Sequence, residues 1–203
     1  MQKGVSVDLP QTSNAVKVPE ADNQNALIIT VAANGSAYFG VTPIVPDALA
    51  EGIKKDLANR TGAKLYVKAD ARTQYADVMN ILAALRTAGV DAPTLLTAQA
   101  DSPQPGTLAP PKGLEVLLDP SLPAGTVATV VQLFNSGQES PVLKINNDQI
   151  SWSALQRTLK QHFQKGDERV ILLKADAQLS FADVVQAVDM CRATRAKVVL
   201  GTP

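Results

Sequence analysis

Asp70 and Asp176 are the polar residues best placed to do chemistry in this chain. Each closes an apolar run, Leu65-Tyr66-Val67-Lys68-Ala69 before the first and Ile171-Leu172-Leu173-Lys174-Ala175 before the second, and each precedes a helical pattern by a few residues. A carboxylate at the end of a strand can hold a ligand in the crevice that opens there. The plainer reading is that it hydrogen-bonds its own loop and favours the positive end of the coming helix. Each carboxylate stands without a paired base or nucleophile, which disfavours catalysis. His162 is the sole histidine and falls near a helix end, where a solvated or capping role suits it. Cys191 is the sole cysteine and occupies a core position of a helix, as a small buried hydrophobe. With no Cys/His cluster, a zinc site is not expected. There is no Gly-x-Ser-x-Gly elbow and no phosphate-cradling glycine loop. The expectation is a non-enzyme with no catalytic residue, metal ligand or cofactor.

The two carboxylates match because the chain repeats itself. A shift of 106 residues lays Leu65 to Ala71 on Ile171 to Ala177 and Tyr75-Ala76-Asp77-Val78 on Phe181-Ala182-Asp183-Val184. It also aligns Leu49, Ile53 and Leu57 with Leu155, Leu159 and Phe163. No gap is needed from about Phe39/Ile145 to Val90/Ala196. Two copies of one unit are implied. The expected division is a leading strand and flexible link over 1–25, a first domain over 26–98, a proline-rich linker over 99–112 and a second domain over 113–203.

Composition narrows the function. Nineteen basic and 19 acidic residues leave no net charge, and no Lys/Arg run interrupts the balance. Nucleic acid and anionic membrane surfaces both call for a basic footprint, so neither is an expected partner. No stretch reaches the length of apolar residues that spans a bilayer.

Within each copy the patterns predict strand, strand, helix, strand, helix, strand. Leu27 to Val31 and Tyr38 to Val41 read as strands, and Leu49, Ile53 and Leu57 as the stripe of a helix opened by Pro46-Asp47. Thr73 is the expected N-cap of the next helix, with Val78, Ile81 or Leu82, and Leu85 inward, and Gly89 at its C-terminal cap. In the second copy Ser151 or Ser153 is expected to cap one helix and Ser180 the other, which buries Phe181, Val184, Val188 and Cys191. Leu114-Glu115-Val116 reads as an echo of the opening strand. The fold class is α+β: two tandem two-layer domains, each a sheet with helices on one face and some parallel pairing.

Two features look outward. Val5, Val7 and Leu9 alternate with polar residues and end at Pro10, a strand pattern followed by polar residues. Such a segment can add to a sheet edge, its own or a neighbour's. Trp152 can anchor a partner or staple its own helix, and the staple is favoured.

The motifs together resemble the ExbD/TolR family of biopolymer-transport subunits. The resembling residues are Val67-Lys68-Ala69-Asp70-Ala71, Tyr75, Val78, Leu82, Leu85, Ala88-Gly89-Val90 and Leu95-Leu96-Thr97, with 4–10 similar to the segment that follows the family's membrane helix. The match is close over 4–98 and looser over 113–203, where Arg195 replaces the turn glycine. The resemblance implies an accessory subunit of a proton-driven complex of the inner membrane, with an ExbB/TolQ-like channel subunit and a TonB/TolA-like transmitter as partners. It implies an N-terminal membrane helix with an aspartate, which this sequence does not contain, so the chain looks like the periplasmic portion. Family domains pair across two chains; the repeat raises the expectation of self-association or of an intrachain pseudo-dimer. The competing expectation is a module that binds cell-wall peptidoglycan, as the Tol branch of the family is associated with the wall.

Overall fold

The computed structural model describes residues 5–23, 26–58, 64–99, 110–118, 127–138, 140–163 and 169–201. The first half runs through β1 (Gln11–Thr12), β2 (Val16–Lys17), a 3-10 turn (Pro19–Asp22), β3 (Leu27–Val31), β4 (Ala37–Phe39), β5 (Thr42–Ile44), α1 (Pro46–Ala58), β6 (Leu65–Ala69), α2 (Tyr75–Thr87) and β7 (Thr94–Gln99). Then follow β8 (Lys112–Glu115), β9 (Leu117–Leu118), β10 (Thr129–Phe134), β11 (Val142–Ile145), β12 (Asp148–Ile150), a 3-10 turn (Trp152–Ala154), α3 (Leu155–His162), β13 (Val170–Ala175), α4 (Phe181–Arg192) and β14 (Lys197–Leu200).

The β-branched and aliphatic runs pair into two mixed sheets. The first has the order β2-β8-β7-β6-β3-β4-β5, with β1 on β7; the second has β12-β11-β10-β13-β14-β9. In each, three strands joined by helical crossovers are parallel, β3-β6-β7 and β10-β13-β14, and a hairpin extends one side antiparallel. The edge strands β5 and β12 extend each hairpin by one strand beyond the predicted order. Pro43, which has no N–H to donate, is tolerated in β5 because that strand is an edge.

The predicted helix stripes are the buried ones. Leu49, Ile53, Val78, Ile81, Leu82 and Leu85 in the first half, and Leu155, Leu159, Phe181, Val184, Val188 and Cys191 in the second, are at most 1% exposed. Both halves belong to one contiguous apolar cluster. Burial pushes the Cys191 thiol up to about 12, so it is an inert packing group.

The repeat is preserved in register with one insertion. Phe39 pairs with Ile29 as Ile145 pairs with Val131, so the offset is 106 on one strand of the hairpin and 102 on the other, and the second hairpin loop is four residues longer. Equivalent positions share backbone conformation even where the residue differs: Gly89 (φ 86°) and Arg195 (φ 62°) both adopt the left-handed region after their helices. A side chain there is strained, and Arg195 is exposed with its backbone N–H donated to the Arg192 carbonyl. Arg195→Gly should therefore raise stability by about 1 kcal/mol, read as a higher denaturant midpoint at unchanged m-value.

Several expectations are corrected. Residues 5–10 keep the predicted alternation of exposure, yet no strand forms there; the strand is β1, one step later. Residues 11–23 of the expected flexible link carry β1, β2 and a 3-10 turn instead. Leu114-Glu115 belongs to β8, which pairs antiparallel with β7 of the first sheet, so the first sheet extends past the expected boundary at 112/113. Gly113 permits that approach, since a Cβ there would come within 2.5 Å of Thr94 Cγ2. Most of the proline-rich linker and the end of the first helix, at Asn59 and Gly62, lie outside the described residues. Ser151 and Ser153 cap no helix; their hydroxyls bond each other at 3.1 Å. Ser180 does cap α4, accepting from the Asp183 N–H and donating to its carboxylate. Trp152 is packed against the core with its indole N–H donated to the Pro141 carbonyl at 3.0 Å, in keeping with the inward reading.

Candidate functional site

The loops that begin at Asp70 and Asp176 meet each other. Tyr75 N donates to Leu179 O at 2.8 Å, and Phe181 N to Thr73 O at 2.9 Å. Ala76 N donates to Ala177 O at 2.9 Å, and Ala182 N to Ala71 O at 3.0 Å. Exchanging the halves by 106 residues turns each bond into its mate. The antiparallel bridge Gln74–Ser180 maps onto itself, so the pseudo-twofold axis passes through it. This is the geometry of an isologous dimer interface, formed inside one chain.

The bonds have a clear cause. Tyr75, Ala76, Phe181 and Ala182 open α2 and α4, and the first N–H groups of a helix have no partner within it. Here the opposite repeat's carbonyls accept them, so each half caps the other's helix. Thr73 contributes its carbonyl and not the expected side-chain cap; its buried hydroxyl has no partner. Tyr75 and Phe181 are each 1% exposed beside Leu179, which excludes water from the seam.

A second attachment reinforces it. The Asp189 carboxylate on α4 accepts from Ser13 N (3.1 Å), Asn14 N (2.8 Å) and Asn14 Nδ2 (2.9 Å), although Asp189 is only 7% exposed. The leading segment of the first half is thereby tied to a helix of the second. Between these ties Thr12 Oγ1 lies 2.8 Å from Thr97 Oγ1, both buried.

Residues 112–118 make a third connection. β8 pairs with β7, and β9 pairs with β14 in parallel, so one short segment belongs to both sheets. Val116 N and Leu118 N also donate to the carbonyls of Pro93 and Asp91.

The two carboxylates singled out in the sequence serve this architecture separately. Asp70, 2% exposed, accepts from Arg72 N (3.0 Å), Arg72 Nε (2.9 Å), Arg72 Nη2 (3.0 Å) and Asp8 N (3.1 Å). Arg72 reaches on to Asp8 Oδ2 at 3.1 Å, and Ala71 N donates to Asp8 O at 2.8 Å. The Arg72 guanidinium, opposed by burial and helped by the two backbone N–H groups, holds the Asp70 carboxyl well below the usual carboxylate range. Asp70 is thus a clip for the leading segment. Asp176 is half-buried and accepts from Asn135 N at 2.8 Å, a loop contact within its own half. Val5 offers its carbonyl to Lys68 Nζ at 3.4 Å, and Pro10 accepts from Ala98 N. Val7 is half-buried, and Leu9 packs on a small cluster of Ala21, Tyr66 and Leu96. The proposed partner-binding residues are therefore docked on their own domain.

Arg72, Asp8 and Asp189 were not singled out by sequence reasoning. Asp189 carried a signal: it lies four residues after Val185 on a helix face that is otherwise apolar. Among the described residues no group of His, Cys, Asp or Glu could hold a metal ion, and no helix is long and apolar enough to cross a membrane.

A family model described as biopolymer transport protein ExbD/TolR matches residues 1–100 and again residues 95–202. The chain belongs to the ExbD/TolR family. Two matches in tandem agree with the two sheet-and-helix units. ExbD/TolR proteins are transport-associated accessory subunits of energy-transducing systems and not a family of enzymes. They generally work with ExbB/TolQ and TonB/TolA partners, as inner-membrane proteins with a periplasmic domain. Among curated proteins, none matches the chain.

Proposed function

We propose that this chain is the periplasmic part of an ExbD/TolR-type accessory subunit in a proton-motive-force-driven TonB- or Tol-type transport complex. It couples proteins to one another and transforms no substrate. One chain supplies both halves of a paired unit, where other members of the family pair across two chains. The reciprocal capping across the Gln74–Ser180 bridge supports this reading most strongly, because it satisfies both helix N-termini at once. A tether between the halves keeps the local concentration of each near the other high, which favours pairing without a second chain. The leading segment, held by Asp70 and Asp189, connects this unit to an anchor in the inner membrane. A TonB/TolA-like transmitter engages it by strand addition, and the open edges that support this are β5 and β12.

The pairing is tested with Gln74→Cys/Ser180→Cys. Antiparallel partners sit at a separation that suits a disulfide. The native thiol is buried and does not compete. The variant should form an internal disulfide at high dilution while scattering light as a monomer. Disulfide-linked dimers, or no bond at all, would overturn intrachain pairing.

A further inference from the structure

The two halves begin their first helix alike and fill the space beside it differently. Ala48 N donates to Val45 O at 3.1 Å, and Ala154 N to Ser151 O at 3.0 Å, the equivalent bond 106 residues on. Leu49 and Leu155, the next residues, are both fully buried. Within this matched start the second half has Trp152 where the first has Pro46. The Trp152 indole packs against the core and donates its N–H to the Pro141 carbonyl at 3.0 Å, so it reaches from the helix start to the hairpin. By sheet register Pro141 is the equivalent of Gly35.

In the first half a cavity of about 570 Å³ joins the same two places, from Ala48 at the helix start to Gly35 on the hairpin. Ala37, Ile44 and Ile81 line it, in the positions of Leu143, Ile150 and Ala187. Ala37 is smaller than its counterpart and Ile81 larger, so the floor does not take up the space that the indole fills in the second half. The rim differs in kind. Pro43 and Val45 are exposed and apolar where the second half has Gln149 and Ser151. Ala48 is exposed, whereas Ala154 is half-buried. The wall also holds an acceptor: a Cβ on Gly35 would come within 2.6 Å of Asp77 Oδ2. The counterpart carboxylate, Asp183, is bonded by Ser180 Oγ at 2.6 Å. Gln74 stands in the place of Ser180 and makes no side-chain cap, and among the described residues none donates to the Asp77 carboxylate.

We propose that this cavity is a docking site for a tryptophan side chain of another protein, seated as Trp152 is seated in the second half, with its indole N–H donated to the Asp77 carboxylate. A buried indole supplies a large apolar contact and needs one acceptor, and the cavity offers both. The rim is exposed, so a side chain can enter while its own backbone stays outside, as interface anchors do. The single tryptophan of this chain is already seated, so the anchor comes from a different protein. The site lies on the helix side of β4 and β5 and uses no edge hydrogen bond, so its failure leaves the pairing and edge-binding proposals standing.

N-acetyltryptophanamide titrated into the isotope-labelled chain should give saturable NMR shifts at the Gly35, Ala48 and Ile81 amides, and N-acetylleucinamide should give none there. The N-methylindole analogue, which cannot donate, should bind about fivefold more weakly, and Asp77→Ala should remove that difference. Pro46→Trp should abolish binding, because the chain's own indole then takes the cavity. Trp152→Ala should open the counterpart, with new shifts at Ala154 and Ala187. An end-blocked Ala-Trp-Ala peptide should bind at least as tightly as N-acetyltryptophanamide. The proposal is overturned by no saturable shift at the three amides, by equal shifts from the leucine probe, or by binding that persists in Pro46→Trp. It is also overturned by an N-methyl penalty that survives Asp77→Ala, by no new shift in Trp152→Ala, or by free tryptophan binding more tightly than the blocked peptide, which would mark a small-molecule site.

Discussion

Asp70→Ala should lower the unfolding free energy by about 2–3 kcal/mol, because a buried carboxylate that accepts four hydrogen bonds is worth more than one neutral bond even after its desolvation. Arg72 is exposed and rehydrates freely once released. The loss falls on the leading segment, since Asp8 is held through the Asp70 carboxylate, the Arg72 guanidinium and the Ala71 N–H; the first is removed outright, and the second loses the buried carboxylate that aims it. The pH dependence carries a sign. The folded pKa of Asp70 lies below the ordinary value of 3.8, so its contribution is complete above that value and fades as the pH falls through it towards the folded pKa. The wild type should lose stability along this acid limb, and Asp70→Ala should show a flatter one. Asp70→Asn keeps the shape without the charge and should fall between the two. Denaturant midpoints taken between pH 3 and pH 7 check all three; an acid limb of equal slope in wild type and Asp70→Ala would show that the clip contributes nothing.

The parts of this fold that were legible are those written in side chains. Leu49/Ile53 and Leu155/Leu159 repeat at helical spacing and are buried, and Ser180 with Asp183 three residues on is a cap in sequence and in structure. The seam is written in the backbone. Ala71, Thr73, Ala177 and Leu179 bond across it through their carbonyl oxygens, and any residue would supply one. The 106-residue repeat announced that two units exist and raised pairing as an expectation, but no side-chain pattern marks which loops touch. β1 and β2 are two residues long, too short for periodicity to register. Leu114-Glu115 reads as a strand from either sheet's point of view; the choice is made by the open side of β7 and by a missing Cβ at Gly113. Asp70 was legible as a residue of interest because it ends a strand, while its partners were not, since Asp8 is 62 residues away.

Asp189→Ala should cost about 2 kcal/mol and, unlike Asp70→Ala, should loosen the two halves from one another. Its carboxylate is the sole acceptor described for Ser13 N and Asn14 N, and hydrogen bonds to a charged acceptor contribute about 1.5–3 kcal/mol before relaxation. Relaxation lowers the figure here, because Ser13 and Asn14 lie at the surface and water can take over their N–H groups. Asp70 and Asp189 grip one segment at two points, so their effects cannot be independent. Once either grip is released, the other holds a segment that is already partly free. The double variant should therefore lose less than the two singles added together, by about 1 kcal/mol. Limited proteolysis provides the local readout: cleavage at Lys17 by trypsin should accelerate in each single variant and change little further in the double. Strict additivity in the midpoints would mean that the clip and the tie act on separate structures.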